Sequence, residues 1–159
     1  MKVVLFSPMA STSAIGRVTA LIVPALFLQG DEVTVVRTER GQHLLSAPHA
    51  CVAPILAWTD DAAVKKAAQD ADVLVYQIGN NYDFHFGGLH WLAKLPGLVC
   101  LHDFVVAHLF AGWANDYPEE ARHVLRSWYG ESVATSFFAV RDPREFLENA
   151  SQDHPMNEW

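Results

Sequence analysis

The chain has 159 residues, of which 51% are hydrophobic, and its formal net charge is −7. Its length fits one domain, and its apolar content is enough for a buried core, which excludes an intrinsically disordered chain. The acidic balance argues against a nucleic-acid-binding surface, because phosphate recognition depends on clustered Lys and Arg.

The first half of the chain alternates predicted strands and helices. Residues 17–29 have the apolar spacing of a helix that ends at Gly30, and residues 37–50 predict a loop. The three predicted strands are blocks of the kind buried in a parallel sheet, rich in β-branched residues: 2–6, 32–36 and 51–56. Pro54 weakens the last of them.

The second half begins with the same alternation and then becomes wholly helical. Thr59 or Asp60 is placed to cap a helix over 59–71, and Pro96-Gly97 makes a turn into the fifth strand. The remaining predicted strands, 72–78 and 98–102, are likewise apolar blocks that we expect to be buried. The remaining predicted helices are 84–95, 105–114, 118–130 and 142–150.

Two other features bear on location. Cys51 and Cys100 lie in apolar runs without CxxC spacing, which indicates small buried side chains in a reducing compartment. The apolar run over 18–30 is shorter than the roughly 20 residues of a membrane span, and Pro24 interrupts it. We therefore expect a cytoplasmic protein, for which loose peripheral association with a membrane stays open.

This alternation predicts an α/β fold: a Rossmann-like, doubly wound parallel sheet with helices on both faces, followed by a helical C-terminal segment. With the common strand order 3-2-1-4-5, ligands bind beyond the carboxyl ends of the strands. Three polar segments then share that edge of the sheet, namely 7–16, 77–85 and the pair His102 and Asp103.

The first of these segments, SPMASTSAIG, carries Ser11, Thr12, Ser13 and Gly16 ahead of a helix. Accessible backbone N–H groups at a helix N-terminus favour an anion such as phosphate, although a plain loop with an N-cap explains the pattern equally well. The segment matches neither the dinucleotide fingerprint GxGxxG nor the phosphate loop GxxxxGK[ST].

The second segment, YQIGNNYDFH, combines a glycine with two amides. Gly79 allows close backbone approach, and Asn80 and Asn81 offer donors and acceptors suited to a hydroxyl-rich ligand. An Asx-type turn that only closes the strand is the alternative, and His85 could equally cap the next helix.

The third segment, CLHDF, presents one candidate imidazole. Alternation along a strand separates His102 from Asp103 unless the strand ends between them, and we favour His102 as a functional residue. A metal site is not expected, because His102 and His108 have no third ligand at convincing spacing. A GxSxG elbow is also lacking, which argues against a hydrolase.

Together these segments resemble the N-terminal domain of family 4 retaining glycosyltransferases of the GT-B fold. The resemblance rests on the opening MKVVLFSPMASTSAIGRVTALIVPALFLQGDEVTVV, on DVLVYQIGNNYDFH and on GLVCLHDFVVAHLF. It implies transfer of a sugar from a nucleotide-sugar to a sugar, glycan or lipid-linked acceptor with retention of configuration. It implies no metal and no cofactor, with the nucleotide-sugar as a substrate.

The resemblance also implies which residues form the site. His102 is the implied catalytic residue. The implied acceptor-binding residues are Ser13, Ala14, Ile15, Gly16, Gln77, Gly79, Asn80, Asn81, His85 and Asp103. The first loop reads SAIG where the family often reads SGIA, so Ala14 stands in place of a glycine and its side chain opposes close approach of a phosphate there.

The resemblance further implies how the chain is organised. Residues 1–150 would form the acceptor-side domain, one half of a GT-B fold, and residues 151–159 would lead toward a donor-binding domain that the sequence does not contain. We therefore expect part of a hexosyltransferase that is inactive alone, with an apolar edge left for a partner domain or for a homo-oligomer. A stand-alone α/β binding or interaction module is the main alternative, and a small Rossmann-like oxidoreductase or hydrolase is the third.

Overall fold

A computed structural model gives the structure of residues 1–139. The described chain divides into two compact units. The first comprises Met1–Gly79 and Asp83–His102, and the second comprises Asn80–Tyr82 and the described residues from Asp103 onward. The helix predicted over 142–150 and the predicted tail 151–159 lie outside the described residues.

The first unit is built on a five-stranded parallel sheet, counted over residues 1–139. Its strands are β1 (Lys2–Ser7), β2 (Glu32–Arg37), β3 (Ile55–Ala57), β4 (Val73–Ile78) and β5 (Leu98–Leu101). Their order is β3-β2-β1-β4-β5, with every pairing parallel, so the predicted fold class and strand order are confirmed. The helices that flank the sheet are α1 (Ala14–Leu28), α2 (Gly41–Leu45), α3 (Asp61–Gln69) and α4 (Tyr82–Leu92).

The core follows from the alternation of side chains along the central strand β1. Val3 and Leu5 point to the face where Val23 of α1 packs, in a buried cluster that includes Val33 and Val35 of β2. Phe6, which follows Leu5 on β1, stacks on Tyr76 of β4, with ring centroids 4.4 Å apart. Burial raises the pKa of Tyr76 to about 12, and its hydroxyl donates to the carbonyl oxygen of Leu95 at 2.5 Å.

Two element boundaries differ from the predicted ones for local reasons, and one predicted helix cap is confirmed. Helix α1 begins at Ala14 rather than at residue 17, because Ser13 Oγ accepts the N–H of Gly16 at 3.0 Å and caps the first turn. Strand β3 starts only after Pro54, which has no N–H to donate to a sheet. Helix α3 has the predicted cap, since Asp60 Oδ1 accepts the N–H of Ala63 at 3.0 Å.

Helix α2 lies in the segment predicted as a loop, and a distant side chain explains it. The Arg37 guanidinium donates from Nη2 to the carbonyl oxygen of His43 at 2.9 Å and from Nη1 to that of Ser46 at 3.1 Å. A cation at this end satisfies carbonyl groups that a helix leaves unpaired at its C-terminus. Five residues of helix are therefore held by a contact that local sequence does not show.

Strand β5 is exposed, so the expectation of a buried fifth strand is wrong. It is the last strand of the described sheet, and Leu98 and Leu101 are 59% and 51% exposed. These side chains give the edge an apolar surface, and its use by a partner domain or a homo-oligomer stays a prediction.

The second unit is helical and contains α5 (Ala107–Asp116), α6 (Pro118–Tyr129) and α7 (Glu131–Ala139). Pro118 occupies the favoured first turn of α6, and Gly130, with φ of 85°, ends that helix. Its buried side chains include Leu109, Phe110, Ala114, Ala121, Leu125 and Ala134. Within residues 1–139, no helix has the length and apolar character needed to cross a bilayer.

Candidate functional site

The central feature of the candidate site is a pair of polar side chains at the carboxyl ends of β4 and β5. Gln77 is the second-last residue of β4 and is buried, at 8% exposure. His102 directly follows β5 and is exposed. The His102 N–H donates to the carbonyl oxygen of Ile78 at 2.8 Å, which fixes the backbone at the ring. The two side chains meet through Gln77 Oε1 and His102 Nε2, 2.5 Å apart.

With Gln77 Oε1 as the partner, this contact sets which nitrogen carries the proton in a neutral imidazole. The carbonyl oxygen of Gln77 has no proton to give, so with that oxygen placed against the ring His102 Nε2 must donate. In a neutral ring Nδ1 is then the acceptor. The exposed His102 can therefore accept a hydrogen bond from a ligand hydroxyl at Nδ1.

The turn after β4 is closed by His85. Its Nε2 accepts the N–H of Gly79 at 3.0 Å, and the side chain is 2% exposed. A backbone N–H only donates, so the neutral ring carries its proton on Nδ1. His85 lies within α4 and holds the end of β4, which differs from the helix cap that the sequence left open as its alternative role. Its role in acceptor binding stays a prediction.

Asn80 and Asp103, both in the second unit, also have structural partners. The Asn80 N–H donates to Asp103 Oδ2 at 2.7 Å. Asn80 Oδ1 accepts the N–H groups of His108 at 2.8 Å and of Leu109 at 3.1 Å. Since Val106 at the N-cap of α5 makes no side-chain capping bond, Asn80 supplies the cap for that helix. The neighbouring Asn81 is exposed.

The loop between β1 and α1 brings Ser13 and Gly16 together through the cap of α1. His49 Nε2 lies 2.8 Å from the Ser13 carbonyl oxygen, which ties the loop to the segment after α2. Gly16 is buried, and a Cβ there would overlap the carbonyl oxygen of Pro8. The glycine is therefore needed for close packing of helix against loop, while Ala14 is exposed and Ile15 is half-buried.

The sequence interpretation missed the residue that organises this loop, Glu39. Its carboxylate is fully buried, and Oε1 accepts the N–H of Met9 at 2.6 Å and also the N–H of Ala10. Arg37 pairs with the same oxygen at 3.3 Å. The available signal was an acidic residue directly after a buried strand, two positions beyond an arginine.

The position of Glu39 also bears on the oxidoreductase alternative. Dinucleotide-binding folds use an acidic residue beyond the second strand to hold the ribose hydroxyl. Here the acidic residue at that place is buried and bonded to the first loop. This arrangement argues against that alternative.

The structure thus joins the predicted site residues in small groups, through contacts within each unit. The sheet unit contains the Gln77–His102 pair, the Gly79–His85 pair and the Ser13–Gly16 cap, and the helical unit contains the Asn80–Asp103 pair. Within residues 1–139 no three His, Cys, Asp or Glu side chains are grouped so as to hold a metal ion. Comparison with known protein families, with curated proteins and with solved structures finds no match.

Proposed function

We propose that this chain is the acceptor-side domain of a retaining glycosyltransferase, which transfers a hexose from a nucleotide-sugar to a hydroxyl-bearing acceptor. The observation that supports it best is the Gln77–His102 hydrogen bond at the carboxyl ends of β4 and β5. Doubly wound sheets bind their ligands at this edge. The resemblance of the segments YQIGNN and LHD to those of family 4 enzymes agrees with this position.

The chemistry of the pair suits a sugar. Gln77 is nearly buried and holds His102 Nε2, so the ring keeps one orientation and offers Nδ1 to a ligand. A sugar hydroxyl can donate to Nδ1, and a fixed ring loses little entropy when it binds. In the intact enzyme this ring would hydrogen-bond the donor sugar and stabilise charge near the reacting centre.

Transfer in this proposal needs a second, donor-binding domain that supplies the nucleotide site. The chain alone is then expected to bind a sugar at His102 and not to catalyse transfer. A cytoplasmic location is part of the proposal, and it agrees with Cys51 and Cys100, which are half-buried free thiols.

Sugar titrations of the nitrogen-15-labelled chain test the proposal. Methyl glycosides of glucose, galactose, mannose and N-acetylglucosamine would be added in turn while backbone amide signals are followed. We expect one or more of them to shift the signals of Gln77, Gly79 and His102. His102→Ala should weaken that binding about tenfold, the value of one hydrogen bond to a ligand.

The control variant is His123→Ala, which removes an exposed imidazole from α6. It should bind the sugar as the unmodified chain does. If no sugar shifts the signals around His102, or if both variants lose binding equally, the proposal is wrong.

A second candidate function is a stand-alone interaction module, and the exposed apolar surface favours it. Leu21 and Leu28 on α1 are 69% and 89% exposed, and the side chains of β5 are exposed as well. Surfaces of this kind mark contacts with other proteins. Light scattering over a range of concentrations separates the two functions, because a tight dimer supports the module and a monomer supports the acceptor-side domain.

A further inference from the structure

The contacts of the buried Glu39 carboxylate resemble those of a bound anion more than those of an ordinary side chain. Its oxygen Oε1 receives two consecutive backbone N–H groups, those of Met9 and Ala10. Consecutive amides that point at one spot form a concave anion site. The side chain is 0% exposed, so these bonds replace all of its water.

The guanidinium of Arg37 also contacts the Glu39 carboxylate. Its Nη2 lies 3.3 Å from Oε1 and its Nε lies 3.5 Å from Oε2 of the same carboxylate. The guanidinium is held in place by the carbonyl oxygens of His43 and Ser46. Two amides and one fixed cation therefore surround the carboxylate.

We propose that the amides of Met9 and Ala10 and the guanidinium of Arg37 form an anion site that the chain fills with its own Glu39 carboxylate. The loop after the first strand of a doubly wound sheet is a common place for a substrate phosphate. Glu39 reaches this loop from the end of β2 and occupies it. The loop is thereby closed to phosphate at these two amides.

This has a consequence for the ligand, which rests on the proposed function. With Glu39 in place, the exposed side chains that the loop offers to an acceptor are the hydroxyls of Ser11 and Thr12. These suit a neutral, hydroxyl-rich group. This favours an uncharged, hydroxyl-rich acceptor end at this loop over a phosphate bound to the amides of Met9 and Ala10.

Adding acetate to a variant that lacks the Glu39 carboxylate tests the anion site. Glu39→Ala removes the CH2–carboxylate portion, which acetate can replace. Acetate at roughly ten times its dissociation constant should raise the unfolding midpoint of Glu39→Ala by about 3–5 °C, relative to sodium chloride at equal ionic strength. Glu39→Gln fills the same volume, so acetate should have no such effect on it.

The matched control is Glu32→Ala, which removes an exposed carboxylate from the start of β2, the strand that Glu39 follows. Acetate should leave its midpoint where sodium chloride does. Equal acetate effects on both alanine variants would overturn the proposal, as would a folded Glu39→Ala chain that does not respond to acetate.

A measurement on the unmodified chain covers the case in which Glu39→Ala does not fold. Inorganic phosphate would be titrated into the nitrogen-15-labelled chain while the amide signals of Met9 and Ala10 are followed. The proposal expects both signals to stay in place, because Glu39 already holds these N–H groups. Saturable shifts of these two signals would show that phosphate displaces the carboxylate, which contradicts it. Neither experiment contains a sugar, so failure here is distinct from failure of the proposed function.

Discussion

Gly16→Ala should destabilise the chain although alanine is the better helix former. In the first turn of α1 a Cβ at this position would overlap the carbonyl oxygen of Pro8 and lie 3.1 Å from the Cα of Met9. Both obstacles are backbone atoms of the loop that Glu39 also holds, so neither can turn aside as a side chain can. The helix therefore cannot accept the methyl group without moving from the loop.

The magnitude follows from two opposing terms. Alanine in place of glycine in a helix favours folding by about 1 kcal/mol. Overpacking costs about 1–3 kcal/mol, and a clash with backbone belongs at the upper end of that range. The net loss is about 2 kcal/mol, which for a chain of this size lowers the unfolding midpoint by about 4–8 °C.

Gly88→Ala in α4 is the matched comparison. A Cβ there would meet the side chains of Ile78 and Thr38 at 3.5 Å, which is ordinary contact. This variant should keep the helix advantage and be about 1 kcal/mol more stable than the unmodified chain. Urea unfolding followed by tryptophan fluorescence measures both variants. A Gly16→Ala chain as stable as the Gly88→Ala chain would refute the packing argument.

Two further predictions concern a helix cap and a histidine. Asn80→Ala should cost about 1 kcal/mol of stability in α5 and speed hydrogen exchange at the amides of His108 and Leu109, whereas Asn115→Ala, at an exposed site on the same helix, should not. Burial and the ammonium of Lys94, 2.6 Å from the ring, lower the pKa of His90, so the unfolded chain binds more protons there. Stability from this site is therefore complete above the ordinary histidine pKa of about 6.5 and falls as pH drops through the lowered value. Lys94→Met should raise the pKa of His90 in an NMR titration, while Lys66→Met, an exposed lysine on α3, should leave it unchanged.

Much of the fold could be predicted because its signals are local. The β-branched blocks of β1, β2 and β4 and the apolar spacing of α1 each identify an element, and the connection rules of α/β folds then give the strand order. Helix α2 could not be predicted in this way, because it depends on Arg37 from the preceding strand. The exposure of β5 could not be predicted either, because an apolar strand has the same sequence pattern at the edge of a sheet as at its centre.

The candidate site could be predicted only residue by residue. Gln77 and His102 were each identified, but their contact depends on the register of β4 and β5, in which Gln77 pairs with Cys100. Asn80 and His85 were predicted to bind a ligand, but in the structure both bond to nearby backbone N–H groups. Sequence alone does not separate these two uses, because a side chain suited to a ligand also suits a backbone group. Glu39 was missed because its partners lie 29 and 30 residues away in sequence.

The ring-nitrogen spectrum of His102 is the most direct test of the central claim, that Gln77 holds Nε2 and leaves Nδ1 to a sugar. In the free chain, the nitrogen-15 shifts should show a proton on Nε2 and an unprotonated Nδ1. Saturation with the methyl glycoside that binds most tightly should move the Nδ1 signal and leave Nε2 nearly in place, and Gln77→Leu should remove the preference between the two nitrogens. A proton on Nδ1 in the free chain, or ring signals that no sugar moves, would contradict the account.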